Sequence, residues 1–389
     1  MLKDKKILLI ALIIYFAATG GSYLLFAKSP LAQKFTSPVP PPAASSKEEI
    51  SFDESLPKTE ECPLNGALYS KQQKTWWDKH RPLGVMIENH ENARPQSGIS
   101  SADITYEAVA EGGITRTLNI YYCSAPVQVG PIRSARTYFL DFMSEYGDSP
   151  LYVHVGGANT PGPADALSQI DDYGWGAYND MNQFSIGFPT FWRDYNRLGH
   201  ATATEHTMYS TTSKLWKFAA ESRKLTNVGK GGTAWNKGFT PYKFQDDAAA
   251  GDRGSAQSIH LEFWSDYGQY NVDWIYDPAT NQYSRKNGAA PLLDKDTGKQ
   301  LTAKNIVVLY MSETHANDGY EDNAHLLYKT KGSGKALVFI NGKQTKATWA
   351  KKGRVDKTII TDESGNEIGL NRGKIWFEIL PLNGVVRVK

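Results

Sequence analysis

Two glutamates and three arginines carry types and spacings that could do chemistry together. Glu107 and Glu111 lie on the alternating run Ile104 to Glu111, Arg116 lies on a second run, Ile114 to Cys123, and Gly112-Gly113 stands between them. A Gly-Gly pair between two alternating runs predicts a two-residue hairpin turn. In a regular ladder Glu111 faces Ile114, Val109 faces Arg116 and Glu107 faces Leu118. That register sets Glu107, Glu111 and Arg116 on one face, among Val109, Ile114, Leu118 and Ile120. Charges on an apolar face are paired or used. The inference depends on register, because a one-residue slip turns every side chain to the other face. Arg133 and Arg136 fall where a helix is expected to begin, with Ser134 as its N-cap. That end of the macrodipole disfavours cations unless an anion lies nearby. Two carboxylates against three guanidiniums leave one positive charge over. The excess suits an anion site; the structural alternative is a closed ion network tying hairpin to helix.

His154, on a strand that runs into Gly156-Gly157, and His206, before Thr207-Met208-Tyr209, are candidates for acid–base work beside Glu107 or Glu111. Two hydrogen-bonded structural histidines fit the same pattern. His200 and His206 are six apart in an expected loop, with no H-E-x-x-H and no nearby cysteine pair, so neither a metal site nor a cofactor is expected. Gly156-Gly157 lacks the further glycines or the Lys-Ser/Thr of a nucleotide loop, and no G-x-S-x-G elbow is present. The aromatic residues between Tyr173 and Tyr195, Trp175 and Phe184 among them, either stack on a glycan or pack a long loop onto its own domain.

The elements that position these residues are short. Strands are expected at Leu83–Ile87, at the two hairpin runs and at Leu151–Val155. Helices are expected from Ser134 to about Tyr146, at Ala164–Ile170 and at Thr211–Leu225. Asp171 to about Thr204 reads as a long excursion. After Leu225 a Gly-, Lys- and Asp-rich stretch gives way to strands from Ile259 onward, punctuated by Asn287-Gly288, Asn341-Gly342 and Ser364-Gly365. The pattern predicts an α+β fold of layered sheets and helices. Its N-terminal α/β part covers residues 62–226 and its strand-rich C-terminal part covers residues 258–385.

The 389 residues carry 43 Lys+Arg against 41 Asp+Glu, a net charge of +2, which excludes a globally basic nucleic-acid binder. With 40% hydrophobic residues the chain has material for a sizeable core. Ile7 to Ala27 is an uncharged run of 21 residues, and at 1.5 Å per residue it would span about 30 Å, one bilayer core. Lys3, Lys5 and Lys6 precede it, which predicts a cytoplasmic stub at 1–6, a single transmembrane anchor at 7–27 and an extracytoplasmic remainder at a bacterial membrane. A cleaved signal peptide is the alternative. Residues 28–61 carry six prolines, from Pro30 to Pro57, and read as a linker. Outside the cytoplasm Cys62 and Cys123, the only two cysteines, are candidates for a disulfide.

Several blocks also resemble a known family. They are Arg81-Pro82-Leu83-Gly84-Val85-Met86-Ile87-Glu88-Asn89, Ala93-Arg94-Pro95-Gln96-Ser97-Gly98, Ala102-Asp103-Ile104-Thr105-Tyr106-Glu107 with Glu111-Gly112-Gly113-Ile114-Thr115-Arg116, Val129 to Arg136, and His154-Val155-Gly156-Gly157. Together with Leu301 to Val308 and Thr348-Trp349 they are similar to YerB-like proteins over roughly Pro63 to Pro381. The resemblance implies a bacterial envelope lipoprotein with an N-terminal part and a strand-rich C-terminal part. This chain lacks the lipidated cysteine, which favours a protein anchor. Three functions follow as expectations: binding of an anionic glycan or phosphorylated envelope ligand by Arg116, Arg133, Arg136 and His206; hydrolase-type chemistry on such a ligand with Glu107, Glu111 and His154; or an envelope scaffold whose charges are structural.

Overall fold

The computed structural model describes residues 12, 14–19, 22, 50–255 and 258–389. Residues 1–48 and 49–389 form separate units. Of the expected membrane anchor, only Leu12, residues 14–19 and Ser22 are described, all helical and exposed; the rest lies outside the described residues. Among the described residues no helix is long and apolar enough to cross a membrane.

The expected linker ends earlier than its composition suggests. Phe52 packs edge-on against Trp76 at 5.4 Å, and Lys58–Glu61 pairs antiparallel with Leu68–Ser70. Thr59 and the charged residues around it can serve an exposed edge strand because only the backbone is needed for pairing. Helix α1 (Lys71–Trp77) follows, closed by a reciprocal Ser70–Gln73 capping box. Cys62 and Cys123 are joined, sulfur to sulfur at 2.06 Å. Closing a loop of 61 residues contributes roughly 4 kcal/mol in the chain-entropy model.

The N-terminal half supplies β1 (Leu83–Glu88), β2 (Ile104–Glu111), β3 (Ile114–Tyr121), β4 (Leu151–His154) and β5 (Asp180–Asn182). Its helices are α2 (Thr137–Met143), α3 (Ala166–Asp172), α4 (Gly176–Asn179), α5 (Gln183–Ile186) and α6 (Thr212–Arg223). Helix α2 begins later than expected. Its N-cap is Arg136 and not Ser134, because residues 129–135 are held extended by bridges to Ser210, Ser97, Ile87 and Gly157. The C-terminal half supplies β6 (Ser258–Glu262), β7 (Val272–Asp277), β8 (Gln282–Asn287), β9 (Asn305–Met311), β10 (Gly332–Ile340), β11 (Lys343–Lys351), β12 (Ile359–Asp362), β13 (Ile375–Pro381) and β14 (Val385–Val388).

Both halves contribute to one ten-stranded sheet in the order β12-β11-β10-β9-β13-β2-β3-β1-β4-β5. The seam is the parallel pair β13–β2, where Glu378 lies beside Glu107. Strands β1, β2 and β13 are buried on both faces, as their near-continuous apolar runs require. One face is covered by α2: Tyr106 stacks between Phe142 at 4.7 Å and Phe377 at 4.6 Å. The other meets a second sheet, β8-β7-β6-β14. Its buried side chains alternate, Val272, Trp274 and Tyr276 on β7 and Tyr283, Arg285 and Asn287 on β8. The fold is therefore α+β with layered sheets.

Candidate functional site

The hairpin turn forms as its glycines predict, with φ of +54° at Gly112 and +72° at Gly113. The register beyond it does not. Glu111 opposes Ile114, but a β-bulge lies between Val109 and Glu111, so Val109 opposes Thr115, Ala108 opposes Arg116 and Glu107 opposes Thr117. The extra residue, Ala110, reverses the side-chain alternation of β2. Glu111 stays on the face of Arg116; Glu107 passes to the opposite face. The expectation that these three share a face is corrected accordingly.

On the α2 side, Arg116 reaches Glu111 at 3.3 Å and donates to Ser134 O at 3.0 Å. Arg136 pairs with the other oxygen of the same carboxylate and donates to Ala135 O at 2.5 Å. Glu88, the last residue of β1, takes the place expected for Glu107: it lies 3.2 Å from Arg133 and 2.7 Å from His206 Nδ1. Burial pushes the Glu111 carboxyl up, but Arg116 and Arg136 more than offset this and hold it below its ordinary range. Burial and the neighbouring Arg116 lower the Arg133 and Arg136 guanidiniums. Counted over the cluster, Glu88 and Glu111 oppose Arg116, Arg133 and Arg136, so one positive charge remains.

That cluster opens into a cleft of about 400 Å3. Arg133, Ser134, Gly156, Gly157, Phe184 and Arg193 line it, with Glu205 and Met208. The Arg133 side chain is 28% exposed. Among the described residues no carboxylate lies within ion-pair distance of Arg193, which instead donates to Thr207 Oγ1 at 3.1 Å. The floor is backbone, and glycine is needed there. A Cβ on Gly157 would meet Leu167 at 2.9 Å, and one on Gly156 would meet the Phe184 ring at 3.1 Å. The Phe184 ring is 74% exposed at the rim. Of the aromatic excursion, Phe188 and Tyr195 are also exposed, whereas Trp175 and Phe191 are buried in the core.

The remaining candidates fall elsewhere. His154 lies wholly inside β4, with Nε2 2.5 Å from Asp180 and Nδ1 2.6 Å from Gly156 O, so both nitrogens are engaged beneath the cleft floor. His206 joins the cluster through Glu88, and its ring stacks on His90 at 4.9 Å. His200 is exposed, with its Nδ1 near Ala201 O and Thr202 Oγ1 in its own loop. Among the described residues, the one group of three metal-ligand types close together is Cys62, Asp103 and Cys123, and its two sulfurs are already bonded to each other.

Glu107 belongs to a second cluster that sequence reasoning missed. Arg285 on β8 donates to Glu107 at 2.6 Å and to Glu378 at 2.8 Å, and all three side chains are fully buried. The guanidinium lies 4.4 Å from the centre of the Trp376 ring and 5.1 Å from that of Trp274. Asn89 and Thr115 donate to the remaining Glu107 oxygen, at 3.1 and 2.6 Å. Burial raises the Glu378 carboxyl, and Arg285 opposes the rise. The available signals were an arginine alternating into the buried face of β8 and a glutamate inside the apolar run of β13.

A sheet shared by two sequence halves, with a charged cleft in the first, defines an α+β architecture already seen elsewhere. Residues 67–226 match the N-terminal domain, and residues 259–377 the C-terminal domain, of a family described as "Protein of unknown function (DUF3048)". The chain belongs to this YerB-like family. It is 32% identical over 326 residues to the Bacillus subtilis (strain 168) protein named "Putative lipoprotein YerB", covering 82% of this chain and 86% of that one. The crystal structure of YerB protein from Bacillus subtilis superposes with a TM-score of 0.67 at 26% identity, covering 85% of this chain and 100% of the other.

Proposed function

We propose that this protein is a membrane-anchored component of the bacterial cell envelope that binds an anionic ligand in the cleft beside Arg133. The observation that carries the reading is an open cavity beside a charged cluster: Arg133 and Arg193 line about 400 Å3 of space with Glu205 as the one carboxylate in the lining, and behind it Arg116 and Arg136 share the single carboxylate of Glu111. A closed structural network would leave no such opening. The exposed Phe184 ring at the rim suits a ligand that also carries an apolar face, as a glycan or a phosphorylated envelope precursor does. The name of the Bacillus subtilis relative supports the envelope location. Because Cys62 and Cys123 are bonded to each other, neither is free for a lipid, and Ile7–Ala27 is the proposed anchor. The hydrolase reading has less support, since Glu107 is sealed away and both His154 nitrogens are occupied.

The test is mass spectrometry of small molecules retained by the purified protein, with isothermal titration of inorganic phosphate and of sugar phosphates. Wild type should retain or bind an anion in a salt-dependent way, and Arg133→Ala should lose it. Equal retention by both proteins would overturn the site.

A further inference from the structure

The rim of the arginine cleft carries a surface that charge does not explain. Phe184 lines the cleft and is 74% exposed, and Phe188, four residues on, is 64% exposed. Four residues span at most about 14 Å of chain, so the second ring stands close to the first. Ser185, Ile186 and Gly187 lie between them and Pro189 follows, a stretch without a charge. Its one polar side chain is engaged, since Ser185 Oγ donates to Asn182 O at 2.9 Å. A single exposed aromatic is ordinary, but two on one uncharged segment at the mouth of a cavity mark a contact surface. A sugar laid on these rings would find no free side-chain partner on this segment for its hydroxyls, whereas an aliphatic chain needs none.

The cleft behind that rim offers the opposite chemistry. Arg193 donates through Nη1 alone, to Thr204 O and Thr207 Oγ1. Its Nε and Nη2 donate to no described residue, and neither is sealed from solvent. Those two nitrogens form one edge of the guanidinium fork, which matches two oxygens of a phosphate. Arg133 is the second cation of the lining. Glu205, its one carboxylate, is exposed, where water and salt screen its charge. We infer that the cleft takes the phosphate of an amphiphile, a phosphate ester of a long aliphatic alcohol, with its tail laid over Phe184 and Phe188. This rests on the reading of the cleft as an anion site and narrows the ligand to a lipid phosphate. A free phosphate or a sugar phosphate shares the contacts of the head and leaves both rings in water.

The experiment titrates the full chain in detergent with inorganic phosphate and with ethyl, hexyl and octyl phosphate, read from the phosphorus NMR signal of the ligand. Uptake by the detergent is measured without protein and subtracted. A methylene fully withdrawn from water is worth about fourfold in affinity, so a tail on an open surface should make octyl phosphate bind at least about tenfold tighter than ethyl phosphate. Phe184→Ser combined with Phe188→Ser, both at exposed positions, should remove most of that preference. Arg193→Ala should weaken every ester. Equal affinity for ethyl and octyl phosphate overturns the lipid assignment and leaves the anion site standing, as does a chain-length preference that survives loss of both rings. Binding unchanged by Arg193→Ala places the head outside the cleft and overturns the inference. Failure of all four ligands to bind wild type overturns the anion site and the inference with it.

Discussion

Strand β2 carries a charge cluster at each of its two faces, and the same residue types behave differently on each side. Toward the second sheet, Glu107, Arg285 and Glu378 are fully buried, and Arg285 sits beside two tryptophans. Toward α2, Glu111, Arg116 and Arg136 are paired as closely, yet the neighbouring Arg133 remains 28% exposed over a cleft. What differs is the cover. A second sheet closes over the first cluster, whereas loops and the Gly156-Gly157 backbone border the other and leave space. Charge pairing alone therefore does not distinguish a structural network from a binding site; access does.

The sharpest way to break the comparison is to remove the cation from the sealed side. Arg285→Ala leaves two carboxylates buried side by side and should cost about 3–5 kcal/mol in urea unfolding. Arg285→Met combined with Glu107→Gln and Glu378→Gln should recover most of that loss. A cost below about 1 kcal/mol for Arg285→Ala would show that water reaches the triad. On the cleft side, Glu111→Gln deprives Arg116 and Arg136 of their shared counter-charge. A loss of about 2 kcal/mol is expected, less than for Arg285 because the Glu111 side chain is partly exposed.

A third region separates burial from pairing. His80 is packed between Trp76 and Trp216, and burial pushes its imidazole down from 6.5 to about 3. Between those values the unfolded chain takes up a proton that the native chain refuses, so stability falls as pH drops below about 6.5. Between pH 7 and pH 5 wild type should lose about 2 kcal/mol more than His80→Asn, read from urea midpoints at each pH. Equal slopes would show that the ring charges in the native state. The smallest effect should come from Arg133→Ala, below about 1 kcal/mol in stability, while ligand retention is lost. A large loss of stability there would make Arg133 a structural partner of Glu88 and not a ligand-facing group.

The residues of the α2-side cluster were legible in part. Arg116, Arg133, Arg136, Glu111 and His206 do come together, because the Gly-Gly turn and the short apolar runs place their strands within a few residues. Glu88 was overlooked although it ends the run Leu83–Ile87, since a charge at a strand end is ordinarily solvated. Glu107 was assigned to the wrong face, because the bulge at Ala110 leaves no mark in an alternating sequence. Arg285 and Glu107 are 178 residues apart, and local spacing cannot pair residues at that distance.

By itself, then, the sequence determined the strands at Leu83–Ile87, at the hairpin and at Leu151–Val155, the positive-φ turn at Gly112-Gly113, and the family. Each of these rests on local backbone preference, on local composition or on ordered motifs. The tertiary structure alone decided which face each charge occupies, which cluster is sealed and which opens to a cavity. Those outcomes depend on a single inserted residue in β2 and on a second sheet packed from far along the chain. Both are properties of long-range packing, which can override the alternation that any one strand displays.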